Sequence, residues 1–290
     1  MKRMLFKETN LYHNFLRDGF VVINLFNPEE LKKCLELSKQ HSLNNMQGLL
    51  PSLRFGNASE NLNLHKNIAA IASSALDMHF ENYDFIANHL ITKTANDINE
   101  FRLHQDWNVV NEQKNIAAHI WCALQTTNKE NGGLFVVKGS HMFYNNFRSG
   151  SLGLPVINTS DKVKKHLLSF KLNPGEAVVY NQRLFHGSHP NTSSSNRQVV
   201  LMSIKPKNVP MMYYQKVNSL PNAIGIKSYQ INTEILFEQI SGLEKGMPPE
   251  GGIPDESIIY AGVENNEISN ASFELHLDRD PNIQNEEYAV

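Results

Sequence analysis

His104 and Asp106 are the two residues of the sequence whose types and spacing most clearly suggest chemistry at a metal ion. In a β-strand, side chains two positions apart point to the same face and lie about 6.5 Å apart along the chain. Both side chains can therefore reach one ion, but two nitrogen or oxygen donors alone would bind it weakly. His186, close to the apolar segment 177–180, is a candidate third ligand from a strand that is distant in sequence.

Two imidazoles and one carboxylate indicate a particular class of metal. Such a set occupies one face of an octahedron and leaves three positions open, which suits non-haem iron(II) that binds a chelating co-substrate and dioxygen. The His-x-Asp pair alone is a weak signal because it occurs by chance in many proteins. A surface or core histidine beside a solvated aspartate is the alternative.

Short apolar segments separated by turn-forming residues make up the middle of the chain and must position these side chains. Gly, Pro and Asn dominate the turns at 128–133, 173–176 and 191–196. Regular short strands of this kind predict an antiparallel barrel or a two-sheet jelly roll. The predicted strands are residues 85–94, 117–125, 133–137, 167–172, 177–180 and 198–205.

The two ends of the chain have a different texture. A buried strand is predicted at 19–25, and Asn27 before Pro28 predicts a helix start, since Asn caps helices well and Pro suits the first helical position. A second helix is predicted over 67–82. Beyond about residue 207 the periodicity weakens, and the acidic, Asn-rich end from Glu264 is predicted to be an exposed tail.

No internal repeat or clear linker divides the sequence, so one domain spanning residues 1–290 is expected. It would consist of a helical N-terminal part, a jelly-roll core, and a C-terminal extension with a tail. The expected boundaries are about 1–84, about 85–206 and about 207–290.

Composition and charge exclude several classes of function. A formal net charge of −2 gives no broad positive field for nucleic acid. Cys34 and Cys122 are too few and too far apart for a disulfide framework or a thiolate metal site, and each is expected to be buried. No secretory signal and no apolar run of roughly 18–20 residues is present. A soluble, cytoplasmic protein without nucleic-acid or membrane partners is expected, with its oligomeric state open.

Several motifs occur in the order and spacing of the phytanoyl-CoA dioxygenase family, and the sequence resembles that family over roughly residues 10–205. Their number and order make chance a poor explanation. The resemblance implies a mainly β fold: a double-stranded β-helix core (a jelly roll of the cupin-like kind) with flanking α-helices. The matching segments are 18–22, 101–107, 120–124, 131–134, 138–141, 173–178, 186–191 and Arg197.

The resemblance also assigns a site. His104, Asp106 and His186 match the family's three iron ligands, and they would be the catalytic metal set. Arg197 matches the residue that binds the far carboxylate of 2-oxoglutarate. A guanidinium suits that role because it presents a fixed fork to a carboxylate and stays charged.

Further co-substrate contacts are less sharply implied. Trp121 matches an aromatic position that lines the co-substrate site, with ordinary core packing as the alternative. Lys93 lies where relatives place a pocket-facing polar residue, with a solvated lysine as the alternative. Relatives often have a hydroxyl two residues after the arginine, whereas this sequence has Val199. Tyr180, Thr126 or another hydroxyl is a candidate replacement.

Three other histidines compete for roles. His189 is three residues past His186 and is the rival third ligand, although the resemblance favours His186. His119 alternates with Trp121 and is interpreted as a packed histidine or one behind the ligands. His141 lies in a Gly-Ser-His turn, where a structural hydrogen bond is expected.

These residues predict an iron(II)- and 2-oxoglutarate-dependent dioxygenase that uses O2 and hydroxylates an unactivated C–H bond of a small molecule, releasing succinate and CO2. Asp106 occupies the position where halogenating relatives have a small residue, so hydroxylation is favoured. A cupin-like metalloenzyme without 2-oxoglutarate and a non-catalytic small-molecule-binding barrel are the alternatives.

The substrate class stays open at this stage. An amino acid, an acyl-CoA or a natural-product intermediate would each suit the family. Several arginines among the candidate pocket residues hint at an anionic or zwitterionic molecule, with ordinary surface charge as the alternative. The candidate pocket residues are Arg102, Trp107, Asn108, Arg148, Arg183 and the loop 145–155.

Overall fold

The computed structural model describes residues 5–41, 46–262 and 268–279. Two antiparallel sheets form the middle of the molecule, with helices at the N-terminal end and a third sheet and further helices after residue 206. The helices are α1 (Thr9–Asp18), α2 (Pro28–Gln40), α3 (Ala58–His79), α4 (Asp161–Lys164), α5 (Thr233–Glu244) and α6 (Asn270–Arg279), with 3-10 turns at Ser52–Arg54 and Ser140–Met142.

Eleven strands form the two sheets in the middle of the molecule: β1 (Phe20–Asn24), β2 (Leu49–Pro51), β3 (Tyr83–Lys93), β4 (Phe101–His104), β5 (Ala118–Ala123), β6 (Leu134–Val137), β7 (Val156–Ile157), β8 (Leu167–Ser169), β9 (Glu176–Asn181), β10 (His186–Ser188) and β11 (Arg197–Pro206). The larger sheet has six strands in the order β1-β9-β5-β11-β3-β2. The smaller sheet has five, in the order β7-β4-β10-β6-β8, and neither sheet closes into a barrel among the described residues.

Strict alternation along the strands of the large sheet separates two apolar layers. On β5, Ile120 and Cys122 face the N-terminal helices, while Trp121 and Ala123 face the small sheet. The same alternation holds on β9 and β11, as expected when successive side chains point to opposite faces. The two sheets therefore pack face to face as a jelly roll, which confirms the predicted fold class.

The N-terminal helices cover the outer face of the large sheet. Helix α2 begins as predicted: the Asn27 side chain accepts hydrogen bonds from the backbone N–H groups of Glu29 and Glu30, and Glu30 accepts one from the backbone N–H of Asn27. Helix α3 begins at Ala58, earlier than the predicted residue 67, because Asn57 caps it. Cys34 and Cys122 are both free and buried, as expected.

The C-terminal third contains more regular structure than its sequence indicates. Strands β12 (Met211–Leu220), β13 (Ala223–Ile231) and β14 (Ile253–Gly262) form a third antiparallel sheet, and α5 follows β13. The predicted exposed tail from Glu264 falls partly on residues 264–267 and 280–290, outside the described ranges. Within 270–279 that prediction is wrong, because α6 buries Phe273 and Leu277 against the small sheet.

No helix within the three described ranges is long and apolar enough to span a bilayer.

Candidate metal and co-substrate site

His104, Asp106 and His186 converge at one end of the space between the two sheets, with their ligand atoms all within 4.8 Å of one another. His104 is the last residue of β4 and His186 the first of β10, and the antiparallel register places them directly opposite each other. Their ring centroids are 4.3 Å apart. The sheet pairing thus brings together the two histidines that are 82 positions apart in the sequence.

Backbone carbonyl groups fix the orientation of both imidazoles. Nδ1 of His104 lies 2.9 Å from the carbonyl oxygen of Arg102, and Nδ1 of His186 lies 3.0 Å from that of Leu184. A carbonyl only accepts, so each Nδ1 carries the proton and each Nε2 keeps its lone pair. The Nε2 atoms both face Asp106, as metal-binding imidazoles held by a second hydrogen bond do.

Asp106 is not on the strand, contrary to the spacing argument, because β4 ends at His104. Its Oδ1 lies 3.6 Å from His104 Nε2 and its Oδ2 lies 3.4 Å from His186 Nε2. A buried arginine holds this segment: Arg148 donates from Nε to the Asp106 carbonyl oxygen at 2.6 Å and from Nη2 to Glu112 at 2.7 Å. The carboxylate therefore reaches the histidines from a loop that is anchored from behind.

The ionisation states also suit metal binding. Burial lowers the pKa of His186 to about 4, so its imidazole is neutral at neutral pH. Burial alone would raise the pKa of Asp106, but charge and hydrogen bonding from His186, His119 and His104 hold that pKa well below its ordinary value. A neutral imidazole and an ionised carboxylate are the forms that coordinate a cation.

A glycine lets β10 lie close enough to its neighbours. A Cβ on Gly187 would lie 2.4 Å from the carbonyl oxygen of Phe101 on β4 and 2.6 Å from the ring of Phe135 on β6. The sequence His-Gly-Ser thus places His186 against β4 in a way that a larger residue would prevent.

His119 is the nearest polar neighbour of the three convergent side chains. Its Nε2 lies 3.2 Å from Asp106 Oδ2, and its Nδ1 lies 2.6 Å from Oγ of Ser203 on the adjacent strand. His119 and His186 therefore both lie next to the same oxygen of Asp106, and Ser203 holds His119 in this position. The interpretation of His119 as a residue behind the ligands agrees with this geometry.

We expect His119→Phe to lower the affinity of the site for a divalent metal by about 10- to 100-fold, because partners that orient ligands contribute that much. His119→Gln, which keeps a donor for the Asp106 carboxylate, should recover most of the loss. Anaerobic titration with Fe(II) measures both variants. Equal affinity of His119→Phe and the unchanged protein would show that Asp106 needs no such support.

Arg197 and Lys93 place two positive charges side by side in the protein interior. They are register partners on β11 and β3, and both are almost completely buried. Nε and Nη1 of Arg197 have no hydrogen-bond partner among the described residues, and its guanidinium lies 5.2 Å from the Trp121 ring centroid. A buried guanidinium without an anionic partner is costly, and the like charges of Arg197 and Lys93 on paired strands repel. This arrangement is suited to an anionic ligand.

The alternative interpretation of Lys93 as a solvated lysine is wrong. Its Nζ lies 3.3 Å from Oγ of Ser188 and 4.0 Å from Oδ2 of Asp97. Burial and the nearby Arg197 lower the pKa of Lys93 to about 8. Ser188 lines the cavity together with Arg197 and Trp121, whereas Lys93 does not. Lys93 therefore lies behind Ser188 and contacts its hydroxyl, which in turn faces the cavity.

The candidate hydroxyl groups differ in whether they line the cavity. Thr126 is exposed and lies outside the cavity lining, whereas Tyr180 lines the cavity with its hydroxyl 3.4 Å from His186 Nε2. Ser188 lines the cavity together with Arg197 and is therefore a further hydroxyl candidate. The sequence offered a signal for it, since Ser188 is two residues past His186 in the same strand and therefore on the same face.

The remaining histidine candidates have structural partners. His189 Nε2 lies 2.7 Å from Oγ of Ser169, and its ring packs on Phe135. His141 Nε2 lies 3.0 Å from the carbonyl oxygen of Leu16, as expected for a structural histidine. Neither belongs to the convergent group, which is formed by His186.

Two of the arginines predicted near a substrate are instead bound to the protein. Arg148 is fully buried and paired with Glu112, and Arg183 lies 4.0 Å from Glu112 and donates to the carbonyl oxygen of Tyr144. Arg102 is exposed on β4. These arginines therefore give no support to an anionic substrate, because Arg148 and Arg183 face Glu112 and Arg102 is not among the residues that line the cavity.

The donor set fits an iron(II) ion. Two atoms that bind one ion at about 2 Å, at right angles, lie about 3 Å apart. The separations of 3.4 and 3.6 Å between Asp106 and the two imidazoles are close to that value. Asp106 Oδ2 and His119 Nε2 lie 3.2 Å apart without forming a hydrogen bond of good geometry, so this oxygen keeps a lone pair for a cation. Two imidazoles and one carboxylate form the facial set typical of non-haem iron(II).

Comparisons with known proteins bear on the fold and on the family of this chain. No protein of curated function matches the sequence. The epimerase SnoN, solved with Fe3+, alpha ketoglutarate and nogalamycin RO, is similar in fold at 17% identity and a TM-score of 0.51, over 70% of this chain and 84% of SnoN. HygX from Streptomyces hygroscopicus, solved with nickel and 2-oxoglutarate, is similar at 14% identity and a TM-score of 0.50, over 69% of this chain and 88% of HygX.

At these identities the two structures bear on the fold alone. The family model described as phytanoyl-CoA dioxygenase (PhyH) matches residues 15–199, which is more than half of the chain. The chain therefore belongs to the phytanoyl-CoA dioxygenase family, the iron(II)- and 2-oxoglutarate-dependent oxygenases that react with dioxygen.

Proposed function

We propose that this oxygenase hydroxylates an unactivated C–H bond of a small molecule, with His104, Asp106 and His186 as its iron ligands and Arg197 as the residue that binds the distal carboxylate of 2-oxoglutarate. One observation carries the proposal. The convergent donor set and the unpaired, buried guanidinium of Arg197 line the same cavity of about 250 Å³.

Iron(II), when bound, supplies the activation of dioxygen that couples the conversion of 2-oxoglutarate to succinate and CO2 with oxidation of the substrate. The side chains perform the other tasks. His104, Asp106 and His186 hold the ion, and the apolar walls of the cavity exclude water. Arg197 neutralises the distal carboxylate of 2-oxoglutarate, and Trp121 packs beside that guanidinium.

Lys93 supports this binding from behind. Its ammonium donates to the Ser188 hydroxyl and adds a second positive charge close to Arg197. Ser188 is left to accept from Lys93 and to donate its own hydroxyl hydrogen into the cavity. We assign the co-substrate carboxylate to Arg197 and Ser188, with Lys93 as the residue that orients Ser188.

The affinity for 2-oxoglutarate should fall as the pH rises through about 8. Lys93, with its pKa lowered to about 8, is charged below that pH and neutral above it, and only the charged form attracts a carboxylate. We expect a loss of about three- to tenfold between pH 7 and pH 8.5, since tenfold corresponds to about 1.4 kcal/mol. In Lys93→Met the affinity should be lower at pH 7 and flat over this range. An equally steep pH dependence of the affinity in Lys93→Met would show that the charge of Lys93 does not contribute to 2-oxoglutarate binding.

The C-terminal third contributes to the same site, which supports one oxygenase domain across the chain. Leu236 and Ile240 of α5 line the cavity, as does Glu244 at the end of that helix. The extension after about residue 207 is therefore part of the substrate-binding wall.

A screen for succinate release tests the proposed function. Protein, Fe(II), ascorbate and 2-oxoglutarate are combined with a panel of candidate substrates. Mass spectrometry then gives the molecular mass of each product. Hydroxylation adds one oxygen atom, epimerisation (the activity named for SnoN) leaves the mass unchanged, and desaturation removes two hydrogens. Product formation that continues without 2-oxoglutarate would instead support a cupin-like metalloenzyme. Products without added oxygen would overturn hydroxylation but not the oxygenase site.

A further inference from the structure

The part of the cavity that faces away from Arg197 is an apolar chamber. Its walls come from the turn after β2, from β3, from the segment that follows Asp106, and from α5. We call this region the outer chamber. Its apolar lining includes Leu53, Ile86, Trp107, Val109, Leu236 and Ile240.

The charges around the outer chamber are already paired. Arg54 and Glu244 both line the cavity, and Arg54 Nε lies 2.6 Å from Glu244 Oε1. The side chain of Arg54 is 51% exposed, so this ion pair lies at the mouth. Among the described lining residues, the other cation is Arg197 and the other carboxylate is Asp106. A charged substrate group inside the chamber would therefore lose its hydration without a partner, which is costly.

Two polar side chains in the lining lack complete hydrogen bonding. His89 is on the inward face of β3 and is 8% exposed, and its Nδ1 has no partner among the described residues. Gln182 is 1% exposed, and its Oε1 is also without a partner there. Buried polar atoms left unpaired are costly, so such side chains in a cavity wall indicate a ligand that satisfies them.

The character of His89 restricts that ligand. Burial, with a smaller contribution from His119, lowers the pKa of His89 to about 3, so the ring is neutral at physiological pH. A neutral imidazole offers one donor and one acceptor, and the Gln182 amide offers both as well. These groups complement a hydroxyl or a carbonyl better than an ion.

We propose that the substrate is an uncharged, mainly hydrocarbon molecule that carries hydroxyl or carbonyl groups, and that His89 and Gln182 each hydrogen-bond to such a group. The inference rests on the proposed function, because it assigns the substrate of the same site. It disfavours amino acids and free fatty acids, whose charged groups would find no partner in the outer chamber.

Binding of matched probes to the holoenzyme tests the proposal. The protein is loaded with Fe(II) and 2-oxoglutarate under anaerobic conditions, and each probe is followed through the visible absorption of the iron–2-oxoglutarate complex and through tryptophan fluorescence, since Trp107 lines the chamber. The probes are 1-octanol, octanoate, octylamine and nonane. We expect 1-octanol to bind at least about tenfold more tightly than octanoate and octylamine, or about 1.4 kcal/mol. Equal or tighter binding of either charged probe, or no binding of 1-octanol, would overturn the proposal.

Variants test the two polar residues. In His89→Leu the preference for 1-octanol over nonane should fall by about tenfold. His89→Gln, which keeps a donor and an acceptor, should retain that preference, and so should His13→Leu, which removes an exposed histidine of α1. Gln182→Leu provides an independent variant if His89→Leu does not fold. An undiminished preference in both Leu variants would exclude these residues from substrate recognition.

The same titration separates this inference from the proposed function. A protein that develops no iron–2-oxoglutarate absorption fails the proposed function before any probe is added. A protein that develops the absorption and then prefers octanoate fails only the assignment of an uncharged substrate.

Discussion

Asp106→Ala is expected to abolish succinate release in the presence of Fe(II) and 2-oxoglutarate, with a loss of at least about 100-fold. Asp106 provides the only carboxylate of the convergent donor set among the described residues, and its oxygens face both His104 and His186. Removing it leaves two imidazoles, and disturbing merely the partners of a ligand already costs about 10- to 100-fold. Succinate release, measured with the substrate found in the screen, provides the readout.

Asp255→Ala is the matched control, because Asp255 is an exposed aspartate of β14 whose side chain bonds only to its neighbour Ser257. It should release succinate at the rate of the unchanged protein. Undiminished turnover in Asp106→Ala would refute the assignment of this carboxylate to the iron.

Arg197→Leu should weaken the binding of 2-oxoglutarate by about 30- to 4,000-fold, because loss of one partner of a buried charge pair costs about 2–5 kcal/mol. The arginine is almost completely buried, and its Nε and Nη1 have no hydrogen-bond partner among the described residues, which leaves them for a ligand carboxylate. Arg197→Lys should recover little, since an ammonium cannot present the two-pronged geometry of a guanidinium. Isothermal titration with 2-oxoglutarate on the anaerobic iron-loaded protein measures the loss.

In the absence of 2-oxoglutarate, Arg197→Leu should make the protein more stable. Burial lowers the pKa of Arg197 to about 9, which means that the charged form is disfavoured in the fold. Replacing an unpaired buried cation by leucine should therefore raise the melting temperature of the ligand-free protein. Lys114→Leu, at an exposed turn, should change neither property. Unchanged affinity for 2-oxoglutarate in Arg197→Leu would show that the co-substrate lies elsewhere.

The parts of the fold that follow from local sequence were predictable. Alternation of apolar residues marked β5, β9 and β11, and Asn27 with Pro28 marked the start of α2. The identity of the three candidate metal ligands could be predicted, because His104 and Asp106 are close in sequence and His186 lies in a motif that matches the family. Their contact depends on the register of β4 against β10, which local patterns do not specify.

Long-range contacts explain what the sequence did not reveal. Arg148 and Arg183 resembled substrate-binding residues until their common partner Glu112 was known, and that pairing joins segments far apart in the chain. Lys93 resembled a solvated lysine because nothing nearby in sequence indicates Ser188 as its neighbour. The inward direction of His89 could have been predicted, because His89 is four residues before Lys93 on one strand and therefore on the same face.

The C-terminal third was underestimated for a related reason. Its three strands pair with one another, and α5 packs with residues of β3 and of the segment after Asp106. Helix α6 has mixed polarity, so the burial of Phe273 follows from its contact with the small sheet and not from a strong local pattern. Weak periodicity indicated an extension, whereas tertiary packing makes this region a wall of the cavity.

Anaerobic titration with Fe(II) shows whether His104, Asp106 and His186 bind iron. We expect one iron per chain in the unchanged protein, and weaker uptake after alanine replacement of His104, Asp106 or His186, each measured separately. A protein that binds no iron, or three variants that bind it as tightly as the unchanged chain, would contradict this expectation.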